Sequence, residues 1–280
     1  MNVVTTVREL GQLLAKADPS KVGFVPTMGA LHQGHLSLVE RARRECEVVV
    51  VSVFVNPTQF NDPNDLKNYP RTPEADTEML RAAGVDIVFM PSVEEMYPTP
   101  DTRVFDFGNI DKVMEGATRP GHFNGVAQVV SRLFDMVRPA KAYFGEKDFQ
   151  QIAVIRAMVA QLALPVEIVP CPIVRGEDGL ALSSRNTLLT PEYRAAAPDI
   201  CAALREGAAA VGDKSPAEVE ALVAEAIERG GLLRVIYVQV VDGTSLERVE
   251  SWSVAEGGCI QCCVAVQAGA IRLIDNMRMV

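Results

Sequence analysis

The feature that most limits the fold of this chain is the alternation of short apolar runs with helical patterns over its first two thirds. Each run is continuous and rich in β-branched or aromatic residues, which is typical of parallel strands buried on both faces. The predicted strands are residues 22–25, 48–55, 87–90, 142–144 and 166–169. The predicted helices are residues 34–46, 73–83, 125–137 and 148–162, the second with Thr72 as N-cap and Pro73 in its first turn. This order predicts an α/β fold with a doubly wound parallel sheet.

The pattern changes after about residue 172. Residues 190–210 are rich in alanine and are predicted to be helical despite Pro198, and Ser215 opens a further helix with a capping box. Strands are then predicted at residues 235–241, 259–266 and 271–274. Helices followed by neighbouring strands indicate a small α+β domain. We therefore predict a first domain of residues 1–174 and a smaller second domain of residues 175–280.

Charge limits the classes of partner. With 27 Lys and Arg against 36 Asp and Glu, the formal net charge is −9, which repels a polyanion over most of the surface. The basic residues are spread along the chain and form no stripe that neutralises several phosphates. Nucleic acid is therefore not an expected partner, whereas a small anionic substrate in a local positive pocket agrees with this composition.

Cysteine usage and the first residues indicate the compartment. Cys262 and Cys263 are neighbours in a predicted strand, which is unlike a disulfide scaffold. The C-x-x-C pattern that begins at Cys259 has no second cysteine pair, so buried strand thiols are favoured over a metal site. Arg8 and Glu9 interrupt the region where a signal peptide needs an apolar stretch, and no run approaches the length of about 18 apolar residues that crosses a membrane. The sequence predicts a reduced, soluble, cytoplasmic protein without a membrane partner.

Residues 26–35, PTMGALHQGH, are the segment most informative about chemistry. They place two glycines and two histidines where a predicted strand ends and a predicted helix begins. A helix N-terminus offers unpaired N–H groups and a partial positive charge, and imidazoles can donate to oxyanions. The segment therefore predicts a phosphate-binding site.

Four other polar segments carry candidate functional groups, and three of them follow predicted strands of the first domain or precede its helices. That is where an open α/β sheet places its ligands. The segments are FVNPTQF at residues 54–60, RPGHFNG at 119–125, GEKDFQQ at 145–151 and, at the start of the second domain, LSSRN at 182–186. They supply uncharged amides, a lysine suited to phosphates, and an arginine beside two serines.

Each motif also has an ordinary structural interpretation. Asn56 can belong to a simple turn, Lys147 can be a solvated charge, and Ser183 can be a helix cap. A zinc site at the two histidines of residues 26–35 is disfavoured, because the glutamate of H-E-x-x-H is absent and His122 is the only other histidine. For Arg119 and His122, a loop role and an anion contact both stay open.

Together these segments resemble one family, the pantothenate synthetases. The motifs that carry the resemblance are PTMGALHQGH, FVNPTQF, YPRT, RPGHFNGV, GEKDFQQ, LSSRN and the terminal RLIDN. They lie between Val22 and Asn276 in the family's order and at compatible separations. HQGH also resembles the H-I-G-H signature of the wider nucleotidyltransferase superfamily, and LSSRN is similar to a reduced form of its second, basic loop. The resemblance implies a Rossmann-like first domain of the H-I-G-H type.

The resemblance implies ATP-dependent condensation of pantoate with β-alanine in coenzyme A biosynthesis, through a pantoyl adenylate and with release of pyrophosphate and then AMP. It makes His32, His35 and Lys147 the catalytic residues, which stabilise charge on the phosphates. The implied pantoate and β-alanine contacts are Asn56, Gln59 and Gln151. The implied ATP-binding residues are Met28, Gly29, Ala30, Leu31, His32, Gln33, Gly34, His35, Gly145, Glu146, Lys147, Asp148, Val174, Leu182, Ser183, Ser184 and Arg185.

One departure from the family pattern concerns metal binding. Many relatives carry two adjacent acids after YPRT, whereas this chain has Glu74-Ala75-Asp76, which leaves Asp76 as the candidate ligand. Mg²⁺ is still expected with ATP, because it normally travels on the phosphates and keeps several waters. The resemblance also implies a homodimer formed through the first domain. Two other functions stay open: another small carboxylate-activating adenylyltransferase, and a non-catalytic nucleotide-binding protein on the same scaffold.

Overall fold

The computed structural model describes residues 1–253 and 258–280. The chain divides into two compact units, and neither is continuous in sequence. The first unit comprises Met1–Phe107, Arg119–Glu146 and Gln151–Pro172, and the second comprises Gly108–Thr118, Lys147–Gln150 and Ile173–Val280. Two short internal segments, one of them carrying Lys147, group with the C-terminal part of the chain. The domain boundary between residues 174 and 175 stays a prediction.

The first unit is built on a six-stranded sheet in which every observed pairing is parallel. Its strands are β1 Asn2–Val4, β2 Val22–Thr27, β3 Val48–Val53, β4 Ile87–Phe89, β5 Lys141–Gly145 and β6 Glu167–Cys171. The strand order is β1-β4-β3-β2-β5-β6. The chain moves outward from β2 to β3 and β4, then returns to place β5 on the other side of β2. This reversal is the topological switch point, where open α/β sheets bind ligands beyond the carboxyl ends of their strands.

Helices cover both faces of this sheet. Val25 of β2 packs in one apolar cluster with Leu38 and Val39, whereas the neighbouring Phe24 meets Phe134 edge-on at 6.3 Å between ring centroids. Because successive strand residues point to opposite faces, the helices that carry Leu38 and Phe134 lie on opposite sides of the sheet. The helices that begin before residue 172 are α1 Val7–Leu14, α2 Gln33–Glu45, α3 Pro63–Asn68, α4 Pro73–Ala82, α5 Val93–Met96, α6 Met114–Thr118, α7 His122–Val137 and α8 Phe149–Gln161. The predicted doubly wound sheet is confirmed.

The second unit contains a three-stranded antiparallel sheet with packed helices, which confirms the predicted α+β region. Its further elements are α9 Pro191–Ala196, α10 Asp199–Ala209, α11 Pro216–Glu228, β7 Leu233–Asp242, β8 Ile260–Ala268 and β9 Ile271–Arg278. The predicted capping box opens α11, since the Ser215 hydroxyl accepts from the Glu218 N–H and the Glu218 carboxylate accepts from the Ser215 N–H.

Two expectations about the elements need correction. The single helix predicted over residues 190–210 is interrupted, because Pro198 has no N–H to donate and caps a new helix at Asp199. The elements β1, α1, α3, α5 and α6 were not predicted. They are short, and β1 is a three-residue strand at the sheet edge that pairs with β4 alone.

The cysteines are free thiols, as predicted. Cys262 and Cys263 are buried in β8, and burial raises the pKa of Cys262 to about 12. Within the described ranges, no helix combines the length and apolar character needed to cross a bilayer.

Candidate functional site

The predicted site residues of the first unit follow the carboxyl ends of the strands around the switch point. The 26–35 segment continues from the end of β2, the Asn56 and Gln59 turn follows β3, and Gly145 ends β5. These three strands are neighbours in the sheet, with β2 in the middle. The parallel topology therefore collects segments that are distant in sequence at one edge of the first unit.

The two histidines of HQGH form a reciprocal cap at the start of α2. His32 is the N-cap, with φ −145° and ψ 177°, and its Nδ1 accepts from the Gly34 N–H at 3.1 Å. His35 reaches back, and its Nδ1 accepts from the His32 N–H at 3.3 Å. The two ring centroids are 4.1 Å apart. The imidazoles are thus held by local backbone hydrogen bonds.

These hydrogen bonds determine which ring nitrogen carries the proton. Each Nδ1 accepts a backbone hydrogen, so the proton of each neutral imidazole lies on Nε2. An Nε2–H is a donor and suits a phosphate oxygen. The pair His32 and His35 can therefore stabilise developing negative charge through side-chain donors.

Six backbone N–H groups of the same segment already have partners within the first unit. Gly29 is paired with Thr27 Oγ1, Ala30 and Leu31 with Asp76, His32 with His35 Nδ1, Gly34 with His32 Nδ1, and His35 with His32 O. The expectation of unpaired helix N-terminal N–H groups is wrong at these positions. The capping box and a distant carboxylate already satisfy them.

Asp76 is the distant carboxylate that shapes this segment. It is buried, and its oxygens accept from Ala30 N–H at 2.9 Å, Leu31 N–H at 2.8 Å and the Thr72 hydroxyl at 3.0 Å. Ala30 has φ +49° and Gly29 has φ +80°, both in the left-handed region. A Cβ on Gly29 would lie 2.9 Å from Asp76 Oδ2, so this turn requires glycine. Asp76 holds an unusual backbone conformation in place.

The geometry of Asp76 bears on its predicted metal role. Both oxygens already accept hydrogen bonds from protein groups. Over residues 1–253 and 258–280, no cluster of three or more His, Cys, Asp or Glu is arranged to hold a metal ion. These observations favour a positioning role for Asp76 over direct metal ligation.

Asn56 and Gln59 form a buried amide cluster after β3. The Tyr97 hydroxyl donates to Asn56 Oδ1 at 2.8 Å, and Asn56 Nδ2 donates to Gly125 O at 3.1 Å and to Gln59 Oε1 at 3.4 Å. Gln59 Nε2 lies 2.9 Å from the Met28 sulfur. Burial raises the pKa of Tyr97, which keeps this hydroxyl protonated as a donor. The cluster fixes two predicted pantoate contacts beside the first residue of the predicted ATP segment.

Arg119 and His122 form a hydrogen-bonded pair beside Gln59. His122 is buried, and its Nδ1 lies 2.8 Å from Gln59 O while its Nε2 lies 3.2 Å from Arg119 Nη1. A guanidinium only donates, so Nε2 accepts and Nδ1 carries the proton that goes to Gln59 O. His122 therefore positions the backbone of Gln59, a role that the sequence motif did not reveal.

The remaining predicted residues lie mainly in the second unit. Lys147 stands in a 3₁₀ turn after β5, with its ammonium 3.5 Å from Asp148 Oδ1. The Ser183 hydroxyl caps another 3₁₀ turn by accepting from Arg185 N–H at 3.3 Å. Leu182 N–H donates to Val174 O at 3.0 Å. The second unit thus brings the LSSRN segment to Val174, and both belong to the predicted ATP-binding residues.

Two other predicted site residues, Glu146 and Gln151, belong to the first unit.

Comparisons with known proteins agree over the full chain. Residues 2–278 match the family described as Pantoate-beta-alanine ligase. The pantothenate synthetase of Porphyromonas gingivalis is 56% identical over 280 residues, which cover 99% of both chains. The crystal structure of the Thermus thermophilus pantothenate synthetase aligns with a TM-score of 0.93 and 48% identity, covering 100% of this chain and 99% of that one. The Francisella tularensis pantoate-beta-alanine ligase, solved in complex with beta-gamma ATP and beta-alanine, aligns with a TM-score of 0.84 and 33% identity, covering 100% and 98%.

Proposed function

The chain belongs to the pantoate-beta-alanine ligase family, and on that premise we propose how its own residues perform the reaction. It is an ATP-dependent ligase that joins pantoate to β-alanine. The proposed route has two steps and passes through a pantoyl adenylate. The observation that carries it is the imidazole pair, whose Nδ1 atoms both accept backbone hydrogens and whose Nε2 atoms are therefore donors.

In the first step, an oxygen of the pantoate carboxylate attacks the α-phosphorus of ATP. A new P–O bond forms, the bond between the α-phosphorus and the bridging oxygen breaks, and pyrophosphate leaves with the electron pair. A carboxylate is already a nucleophile at neutral pH, so this step needs alignment and charge stabilisation and no base. The Nε2–H groups of His32 and His35 donate to phosphate oxygens, and Lys147 adds a point charge.

Pantoate binds to the amide groups of Gln59 and Gln151, which donate to and accept from its hydroxyl and carboxylate groups. Asn56 supports this pocket by holding Gln59. Asn56 donates to the Gln59 side-chain oxygen, and His122 donates to the Gln59 backbone oxygen. These hydrogen bonds support the assignment, because they hold Gln59 in place before the substrate arrives.

ATP contacts are assigned to several separate segments of the chain. Residues 28–35 and 145–148 bind the nucleotide, Val174 lies against its adenine or ribose, and residues 182–185 bind its outer phosphates. Family membership supports these assignments, and the hydrogen bond from Leu182 N–H to Val174 O is consistent with one of them.

In the second step, the amine of β-alanine attacks the carbonyl carbon of the adenylate. A C–N bond forms, the bond from that carbon to the phosphate oxygen breaks, and AMP leaves with the electron pair while the nitrogen gives one proton to the released phosphate. A free alkylamine has a pKa of about 10, so the site captures the minor neutral form. Exclusion of water protects the mixed anhydride from hydrolysis during this step.

Mg²⁺ bound to the phosphates of ATP would neutralise part of their charge. Asp76 is assigned a positioning role in place of metal ligation, and its three hydrogen bonds from Ala30, Leu31 and Thr72 support this assignment. Phosphate oxygens and water suffice for Mg²⁺, which normally keeps several waters.

The protein is a homodimer formed through the first unit. Residues 101–107 belong to no helix or strand and bond to α7, for example through Phe105 N–H, which donates to Asn124 Oδ1 at 2.9 Å. Val104 is 86% exposed, and no described residue bonds to the backbone of Thr102 or Val104. An exposed apolar side chain on a segment with unbonded backbone groups supports contact with a second copy. Sedimentation velocity of the purified protein tests the dimeric state. The cytoplasmic location stays a prediction.

The test of function combines the intermediate with a matched lysine pair. Protein, ATP, Mg²⁺ and pantoate without β-alanine are expected to yield pantoyl adenylate and pyrophosphate by mass spectrometry. Lys147→Ala is expected to lower turnover by about 100-fold or more, since it removes a charge that stabilises the transition state. Lys141→Ala, at the opposite end of β5 where Lys141 pairs with Glu45, serves as the control and keeps its activity.

Two results would contradict this assignment. Wild-type turnover in Lys147→Ala removes the role given to Lys147. ATP–pyrophosphate exchange that proceeds without pantoate, across a panel of other carboxylic acids, indicates a different acid substrate.

A further inference from the structure

The C-terminal RLIDN motif has no role in the reaction as described above. It lies in β9, and its last two residues, Asp275 and Asn276, are buried although both are polar. A buried polar group requires hydrogen-bond partners, so the partners of these two side chains show what the motif does.

Asn276 connects β9 to the backbone of Lys147. Its Nδ2 donates to Lys147 O at 3.0 Å, and its Oδ1 accepts from Gln261 Nε2 at 2.6 Å. A carbonyl oxygen only accepts, so the amide group that faces Lys147 must be the NH₂ end. Gln261 of β8 is buried as well, and its donation to Oδ1 holds the Asn276 amide in this orientation.

Asp275 fixes the backbone of Asn276. Its carboxylate makes a two-pronged ion pair with Arg175, at 2.6 Å and 2.9 Å, and accepts from Asn276 N–H at 2.8 Å. Arg175 also donates to Asn276 O at 3.3 Å and follows Val174 of the predicted nucleotide set. Planar, two-pronged pairs restrict orientation strongly. The end of β9 is therefore a rigid support.

The segment that carries Lys147 is held at both of its ends. Lys147 O accepts from Asn276, and Gln150 Nε2 donates to Ile110 O and Val113 O, each at 2.8 Å. These contacts explain why Lys147–Gln150 belongs with the second unit, although the chain before and after it belongs to the first. Lys147 is thus an integral part of the C-terminal unit.

We propose that Asn276 is a positioning residue for Lys147: it fixes the Lys147 carbonyl and thereby the direction in which the ammonium meets the phosphates of ATP. The inference rests on the proposed function, because it requires that Lys147 acts in adenylation. Loss of the Asn276 donor leaves the turn free to rotate, and small displacements of a catalytic group lower the rate steeply.

A double-mutant cycle tests this role. Pantoate-dependent ATP–pyrophosphate exchange is measured for wild type, Asn276→Ala, Lys147→Ala and the double variant, with circular dichroism and melting temperature as checks of folding. We expect Asn276→Ala to lower the exchange rate at saturating substrates by about tenfold or more, with KM for pantoate unchanged. In the Lys147→Ala background, the same substitution is expected to change the rate by less than about twofold, because the two residues act as one unit.

Two further variants separate positioning from stability. Asn276→Leu removes the donor and fills the space without adding a charge, so it should reproduce the rate loss without leaving a cavity. Gln267→Ala is the control, since Gln267 lies at the other end of β8 from Gln261 and donates to Gly269 O. Its rate effect should be the same factor with Lys147 present or absent.

The outcomes distinguish the inference from the function beneath it. A rate loss in Asn276→Ala that persists unchanged in the Lys147→Ala background overturns the positioning role, as does wild-type exchange in both Asn276 variants. Wild-type exchange in Lys147→Ala overturns the catalytic role of Lys147 and the inference with it.

Discussion

The two predicted phosphate-binding elements of this molecule are held in opposite ways. The imidazoles of His32 and His35 are fixed mainly by backbone groups two and three residues away, within one capping box. The backbone of Lys147 is fixed by Asn276, which is 129 residues away in sequence. One element is organised by its own local sequence, and the other depends on the C-terminal strand.

This difference predicts how each element responds to change. A local capping box forms as soon as its helix forms, since all of its groups lie in one turn. A contact over 129 residues exists only when the second unit is folded. Substitutions far from the reaction are therefore expected to affect Lys147 more than the histidine pair.

The sharpest test of the local arrangement separates the two nitrogens of His35. His35→Asn keeps an acceptor near the position of Nδ1 and removes the Nε2 donor, so the cap persists. We expect turnover to fall about 100-fold, with the free energy of unfolding changed by less than about 0.5 kcal/mol. Steady-state kinetics and urea denaturation measure the two quantities.

His35→Ala is the companion variant. It removes both nitrogens, so it should match the rate loss of His35→Asn and also lower the free energy of unfolding by about 1 kcal/mol. Equal stability of the two variants would show that the Nδ1 hydrogen bond does not support the helix.

The second prediction concerns Asp76, a support of the histidine segment that lies far from it in sequence. It tests how far the organisation of that segment is local. Asp76→Asn replaces an acceptor by a donor opposite backbone N–H groups, and we expect a loss of about 1–3 kcal/mol in the free energy of unfolding. Turnover should fall by about tenfold or more as residues 28–35 relax. Thr72→Val, which removes only the hydroxyl that donates to Asp76, serves as the control and should cost about 1 kcal/mol or less. Larger damage from the control than from Asp76→Asn would contradict this role.

A third prediction concerns the Gln59 pocket, which His122 supports from a neighbouring loop. His122→Asn can retain a donor near the position of Nδ1, whereas His122→Gln extends its amide toward Arg119. We expect KM for pantoate to rise by about tenfold in His122→Gln, because this variant loses the hydrogen bond to Gln59 O. In His122→Asn, which keeps that bond, KM should rise by less than about threefold. The opposite order of the two variants in steady-state assays would refute the proposed direction of donation.

The smallest effect is expected at the other end of α2, away from the histidines. Hydrogen bonds from Arg41, then from Lys141, lower the pKa of Glu45 to about 2. Ionised Glu45 therefore stabilises the fold above its ordinary pKa of about 4.5, and this contribution is lost as the pH falls toward 2. Glu45→Gln should lower the free energy of unfolding by about 1 kcal/mol or less at neutral pH, without affecting turnover. A stability difference from wild type that grows between about pH 6 and pH 3 would reverse the assigned sign.

The sequence predicted the strands and helices correctly where the hydrophobic pattern extended over many residues. The strands around β2 are continuous β-branched or aromatic runs, and buried parallel strands require such runs on both faces. The break at Pro198 was missed because an alanine-rich helical pattern outweighed one absent N–H. The three-residue strand β1 was missed because it is set by pairing with β4, which no local pattern records.

The sequence identified the residues of the candidate site, but it did not identify the side chains that orient them. Asn56, Gln59 and the histidines stood out through their motifs, and strand ends were the expected places for them. The partners that orient them did not stand out. Tyr97 and Asp76 act from other segments, so their roles depend on which side chains the folded chain brings together.

The sequence by itself determined the alternating βα order and the family of the chain, because each depends on local patterns or on motifs in a set order. Tertiary structure decided that Asp76 accepts from the N–H groups of Ala30 and Leu31, and that Lys147 belongs to the C-terminal unit. The physical reason is that a hydrogen bond is specified by two partners, and for Lys147 the second partner lies at the far end of the chain.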